Sequence, residues 1–230
     1  MRNNKPVPDL AIALNTSDMA KALAWAEELL PIHDLFKIGL PLFVKYGPDA
    51  VKEFRARGAR VFLDLKLCDI PSVVAESAEA AAELGAELLT IHGWGGPDMI
   101  AEAKRATGER TRLVVVTVLT SLSPEQMTRL GTNPNLAAGE MASWASEAGA
   151  WGIVCSGLEA RAIKNAFPGL GIVIPGIRLP GEEIGDQARV TAPDDIRDVA
   201  NYVVVGRPIT HSPDPKASLK RYLSVLGHQA

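Results

Sequence analysis

Short runs of apolar, mostly β-branched residues recur along the whole chain, and most are followed by a stretch with helical periodicity. The runs are Leu10–Leu14, Leu35–Ile38, Val61–Leu65, Leu88–Ile91, Leu113–Val118, Gly152–Cys155, Gly171–Ile174 and Tyr202–Val205. They are apolar almost throughout instead of alternating, which predicts parallel strands covered on both faces. Most are spaced by roughly 20–30 residues, the length of one strand–helix unit. Eight such units in 230 residues predict an α/β fold, a closed (β/α)8 TIM barrel formed as a single domain over residues 1–230.

The intervening segments carry helix signals. Ser17-Asp18 offers an N-cap before an Ala/Leu-rich stretch to Leu30. From Pro71 to Leu84, Val74, Ala78 and Ala81 recur at helical spacing, and Gly85 follows as a stop. Leu219, Tyr222, Leu223 and Leu226 form an apolar stripe near the C-terminus. All three stripes predict helices packed on a barrel. The longest interval, Val118 to Gly152, holds a polar stretch from Ser121 to Asn135, which predicts a loop with room for a lid. No linker, repeat or low-complexity tract marks a second domain.

Composition narrows the function classes. Hydrophobic residues at 47% and charged residues at 22% belong to a globular chain, not a disordered one. A net charge of −3 with no basic run argues against nucleic acid as a partner. No apolar run approaches the length of a membrane span. Met1–Pro6 is followed by no apolar stretch of the signal-peptide kind, so the cytoplasm is expected. Cys68 and Cys155 are too few and too isolated for a disulfide framework or a zinc site, and are expected to be small buried groups. His33, His92, His211 and His228 lack metal-ligand spacing; neither a metal nor another cofactor is expected.

In such barrels the chemistry sits at the C-terminal ends of the strands. The third run ends in Asp64-Leu-Lys66-Leu-Cys-Asp69-Ile70-Pro71. Alternation places Asp64 and Lys66 on one face, pointing into the barrel mouth, with Leu63 and Leu65 toward the helices. Lys37, at the end of the second run, can reach the same mouth or snorkel to the surface. Asp69 alone would read as a helix N-cap. His92 ends the fourth run, where packing or orientation suits it better than catalysis. Thr120-Ser121 offers hydroxyls for a polar ligand edge, or is an ordinary loop start. Pro175-Gly-Ile-Arg178, Gly185-Asp-Gln187 and Gly206-Arg207-Pro follow the seventh and eighth runs, the usual barrel phosphate site. Glycine there admits backbone N–H groups to an anion, and arginine adds a planar fork for phosphate oxygens.

Taken together, Lys37-Ile-Gly, Asp64-x-Lys66-x-x-Asp69-Ile-Pro, Val118-Leu-Thr-Ser, Pro175-Gly-Ile-Arg178, Gly185-Asp-Gln187 and Gly206-Arg207-Pro-Ile-Thr resemble the orotidine 5′-phosphate decarboxylase family. The resemblance implies a cofactor-free homodimeric barrel with shared active sites that converts orotidine 5′-monophosphate to UMP and CO2. It implies that Lys37, Asp64 and Lys66 form a charged array completed by Asp69 of the other subunit, with Lys66 the proton donor to C6. It further implies substrate contacts at Asn15, Ile70, Val73, Thr120, Arg178, Gln187, Gly206 and Arg207, Gln187 being on a closing loop. Two positions depart from the family pattern. Asn15 stands where the family has an aspartate touching ribose and the nearby lysine, and Val73 where it usually has threonine.

Two other functions compete. One is a magnesium-dependent sugar-phosphate decarboxylase or aldolase of the same superfamily. Those relatives carry an acidic metal ligand where this chain has Lys37, a cation that would repel the metal. The other is a weakly active or silent nucleotide-binding variant, suggested by Asn15 and Val73.

Overall fold

The computed structural model describes residues 7–179, 182 and 191–228. Eight parallel strands close into a barrel in sequence order. They are β1 (Asp9–Leu14), β2 (Leu35–Gly39), β3 (Arg60–Leu67), β4 (Leu88–His92), β5 (Arg112–Val116), β6 (Gly152–Val154), β7 (Gly171–Pro175) and β8 (Tyr202–Val205), with β8 pairing back onto β1. Around them run α1 (Met19–Leu29), α2 (Leu40–Tyr46), α3 (Asp49–Ala56), α4 (Pro71–Glu83), α5 (Gly96–Thr107), α6 (Pro124–Arg129), α7 (Pro134–Glu147), α8 (Gly157–Ala166), α9 (Pro193–Ile196), α10 (Arg207–Thr210) and α11 (Pro215–Leu226). This is the (β/α)8 barrel that the spacing of apolar runs predicts.

The run boundaries shift modestly. β3 extends to Leu67, and β5 ends at Val116, although Val118 beyond it stays buried. The polar stretch after β5 is not simply a loop, for it contains α6. There Ser123 accepts from the Gln126 N–H while the Gln126 side chain accepts from the Ser123 N–H, a reciprocal cap that starts the helix. Asp18 caps α1, accepting from the Lys21 N–H at 3.2 Å, as its position predicts. Leu219, Tyr222 and Leu226 of α11 are fully buried, and Gly227 ends the helix in the left-handed region.

Alternation along each strand makes two apolar layers. In β1, Leu10, Ile12 and Leu14 pack outward against helices, while Ala11 and Ala13 face the barrel interior with Phe62, Leu88, Val114, Val173 and Val204. The small Ala13 near the end of β1 leaves open space at the mouth. The opposite end is closed by charge. Arg60, which opens β3, bonds Asp9 and Asp34 at 2.8 Å and lies 3.2 Å from Glu87. Arg112, which opens β5, reaches Glu87 at 2.9 Å and also donates to the Tyr202 hydroxyl. Burial opposes the ionised Asp9 carboxyl, but His33 and Arg60 outweigh it and hold the group well below the usual range.

Backbone proximity fixes one strand glycine. A Cβ on Gly152 would lie 2.2 Å from the Gly171 carbonyl oxygen of the neighbouring strand, whereas one on Gly139 of α7 would meet nothing within 4 Å. Gly152→Ala is therefore expected to destabilise by about 1–3 kcal/mol, and Gly139→Ala to stabilise by about 1 kcal/mol. Urea unfolding of the two variants checks this opposition of sign.

Candidate active site

The mouth of the barrel holds a cavity of about 320 Å3. Lys37, Asp64 and Lys66 line it together with Asn15, Thr120, Arg178, Gly206 and Arg207. Eight of the sequence-derived positions thus meet in one place.

The charged cluster centres on Asp64, which is 8% exposed. Its Oδ2 lies 2.8 Å from Lys37 Nζ and its Oδ1 lies 2.6 Å from Lys66 Nζ. Lys37 is itself buried, so it does not snorkel to the surface. Burial alone would push the Asp64 carboxyl up. The two ammonium groups and their hydrogen bonds outweigh burial and hold it well below the usual carboxylate range. Asp64 is ionised at every pH the folded protein experiences near neutrality.

The backbone that presents this cluster is irregular. Leu63 pairs with Leu89 and Leu67 with Ile91, so residues 64–66 of β3 stand opposite Thr90 alone. Lys66 takes up the surplus with a φ of 51°, the one positive value on a non-glycine among the described residues. Leu63 and Leu65 still face the helical layer. Alternation therefore places the right faces, while the bulge aims the Lys66 ammonium back at Asp64. Thr90 went unnoticed in the sequence; its signal is a lone hydroxyl in an otherwise apolar strand before His92.

β7 and β8 supply the other part of the mouth. Gly206 packs so close to β1 that an added Cβ would lie 3.3 Å from the Ala13 Cβ and 3.4 Å from Asn15 Nδ2. Arg178 donates to the Ile177 carbonyl at 2.8 Å, which holds its guanidinium at the rim. Gly185, Asp186 and Gln187 lie outside the described residues.

Other positions fall elsewhere. Asp69, Ile70 and Val73 are exposed and do not line this cavity. Asp69 is not the N-cap of α4: Ile70 occupies that position with no side-chain cap, and Asp69 accepts only from the adjacent Ile70 N–H at 2.7 Å. Cys68 is exposed and not buried as expected, because it lies beyond the end of β3 where the chain leaves the barrel wall; Cys155 is buried and touches the cavity. His92 accepts from the Trp94 N–H at 3.4 Å and so starts the turn after β4. Burial, and secondarily Lys66, lower its pKa and favour the neutral ring. Among the described residues no cluster of His, Cys, Asp and Glu could hold a metal, and no helix is long and apolar enough to cross a membrane.

A barrel mouth that sets a buried carboxylate between two ammonium groups, next to a glycine and two arginines, has the chemistry to take a small anionic molecule. Comparison with known proteins narrows the class. The family model described as Orotidine 5'-phosphate decarboxylase / HUMPS family matches residues 8–222, and the chain belongs to that family. It is 43% identical over 220 residues to an orotidine 5'-phosphate decarboxylase of Anaeromyxobacter sp. (strain K), covering 94% of this chain and 97% of the relative. A relative of the same name from Sodalis glossinidius is 40% identical over 94% of this chain and 88% of its own. The crystal structure of orotidine 5'-phosphate decarboxylase from Lactobacillus acidophilus superposes with a TM-score of 0.84 at 30% identity, over 96% of this chain and 99% of the other.

Removing the central carboxylate tests the electrostatics. Asp64→Asn leaves two ammonium groups facing each other and is expected to cost about 3 kcal/mol at pH 7. The unfolded carboxyl takes up its proton near 3.8 and the folded one only at much lower pH. The wild-type advantage is thus complete above about pH 5 and fades as pH falls. Urea unfolding of both proteins at pH 7 and pH 3 should show the gap narrowing in acid.

Proposed function

We propose that this chain decarboxylates orotidine 5′-monophosphate to UMP and CO2 in pyrimidine biosynthesis in the cytoplasm, with Lys66 delivering the proton to C6. The observation that carries this is the Lys37–Asp64–Lys66 array inside the cavity, with Asp64 bonded at 2.8 and 2.6 Å to the two ammonium groups. When the C6–carboxylate bond breaks, its electron pair stays on C6, where no adjacent carbonyl takes it up. A fixed positive group beside C6 stabilises that charge as it forms. The Lys66 ammonium then gives its proton to C6, leaving a neutral amine that water reprotonates.

The remaining residues divide the nucleotide among them. Arg178, Gln187, Gly206 and Arg207 grip the phosphate, Thr120 contacts the pyrimidine, and Asn15 meets the ribose. Phosphate binding far from C6 supplies energy for excluding water around the reacting bond. Lys37 also weighs against the magnesium-dependent reading, since its ammonium is bonded to the carboxylate such a metal would need.

The site is completed by a second copy of the chain. Asp69 is exposed outside its own cavity, and exposed apolar side chains follow the C-terminal ends of β2, β3 and β4. They are Leu40 and Val44 (80% exposed) of α2, Ile70, Val73 of α4 and Trp94. Large apolar side chains exposed at the same end of three adjacent strands suit a dimer contact. A dimer docked there would bring Asp69, Ile70 and Val73 to the partner's substrate.

Purified protein should turn over orotidine 5′-monophosphate in EDTA, and Lys66→Ala and Asp69→Ala should each lower kcat by at least about a thousandfold. Mixing the two inactive variants under subunit exchange should restore activity, because each heterodimer regains one intact site. Loss of turnover in EDTA would favour the metal-dependent reading. Absent turnover with tight UMP binding would favour a silent variant. Failure of complementation would remove Asp69 from the partner's site.

Asn15 is the departure closest to the chemistry. Its amide oxygen can accept from a ribose hydroxyl, but without the charge that strengthens such a bond. Asn15→Asp is expected to raise kcat/KM by at least about tenfold. Steady-state kinetics of the variant check this, and unchanged or lower activity would mean the site is adapted to asparagine.

A further inference from the structure

We infer that Thr90 is a positioning residue: its hydroxyl locks Asp64 and the Lys66 backbone into the geometry that aims the Lys66 ammonium. Thr90 is fully buried on β4 and does not line the cavity. It stands opposite the bulge that lets residues 64–66 of β3 face a single residue of β4. There its hydroxyl takes over a role the sheet ladder has lost.

The hydrogen bonds leave no ambiguity of direction. The Lys66 backbone N–H donates to Thr90 Oγ1 at 2.9 Å, and Thr90 Oγ1 donates to Asp64 Oδ1 at 2.9 Å. Lys66 Nζ donates to the same Oδ1 at 2.6 Å. The ring of contacts starts and ends on Lys66, passing through one hydroxyl and one carboxylate oxygen. It ties the backbone of a residue at φ 51° to the carboxylate that orients its own side chain. A β-branched residue suits the task, because its χ1 is restricted and the hydroxyl stays aimed at both partners.

Removing the hydroxyl has two consequences. The Lys66 N–H loses its partner, so the left-handed conformation of Lys66 loses its lock. Asp64 Oδ1 loses one of its two donors and gains freedom to rotate away from Lys66. Thr90 itself bonds none of the groups proposed to hold phosphate, ribose or pyrimidine. The consequence is therefore confined to the placement of the ammonium, where a displacement of about 1 Å is worth up to two orders of magnitude in rate.

This inference rests on the proposed decarboxylation, and the experiment separates the two. Thr90→Val keeps the shape without the hydroxyl, and Thr90→Ser keeps the hydroxyl with one methyl fewer. Turnover of orotidine 5′-monophosphate and the Kd for UMP are measured for both. Thr90→Val should lose at least about tenfold in kcat while UMP affinity stays within about threefold of wild type. Thr90→Ser should keep kcat within about threefold. If the valine variant does not fold, Thr90→Cys carries the same test, since its thiol fits the site but donates weakly. The assignment is overturned by a hydroxyl-free variant that keeps its kcat, by a serine variant as slow as the valine one, or by UMP affinity falling in step with kcat. Absence of turnover in the wild-type protein would instead overturn the decarboxylase reading. Crystal structures of the variants would then decide on Thr90 by whether Lys66 keeps its positive φ.

Discussion

The buried Asp64 carboxylate between two ammonium groups is the constraint around which the mouth of this barrel is organised. Its two oxygens are divided, Oδ2 to Lys37 and Oδ1 to Lys66 and Thr90. Taking such charges out of water is costly, and a buried ion pair of this kind adds little to stability. Its worth is positional. An ammonium already fixed and partly desolvated needs no reorganisation when negative charge develops beside it. In the proposed reaction the same carboxylate would sit near the leaving CO2, and one residue would both hold the proton donor and shape the field at the breaking bond.

The fold divides stability from chemistry along the barrel axis. At the N-terminal ends of the strands, Arg60 and Arg112 tie Asp9, Asp34, Glu87 and Tyr202 into a network. In the middle, Ala11, Phe62, Leu88, Val114 and Val173 fill the interior. At the C-terminal ends the small Ala13 leaves the cavity open, and β3 departs from regular pairing where the cluster is built. Strain at φ 51°, a buried Lys37 and a partly buried Lys66 are tolerable there because the rest of the barrel is well packed.

Much of this was legible in the residues. Continuous apolar runs such as Leu10–Leu14 and Tyr202–Val205 mark parallel strands because both their faces are covered, and all eight runs overlap observed strands. Asp64 and Lys66 could be placed at the mouth because period-two alternation survives even a distorted strand, whereas for Lys37 mouth and surface both stay open in the residues and its burial decides for the mouth. What escaped was set by tertiary context. A bulge depends on the register of the neighbouring strand, so neither the positive φ of Lys66 nor the duty of Thr90 shows in the order of residues. Cys68 looked like a small core group, yet it lies beyond the last paired residue of β3. Asp69 looked like a helix cap, yet Pro71 begins α4 with Ile70 as its cap, leaving the carboxylate turned outward.

The central claim is that a prearranged Lys66 ammonium recognises negative charge at C6. The most direct measurement compares the affinity of UMP with that of a uridine 5′-phosphate analogue bearing an oxyanion at C6, for wild type and Lys66→Ala. The wild-type protein should bind the anionic analogue at least about a thousandfold more tightly than UMP. In Lys66→Ala that preference should collapse toward unity with UMP affinity little changed. A preference that survives loss of Lys66 would contradict the account, for the stabilising charge would then come from elsewhere in the mouth.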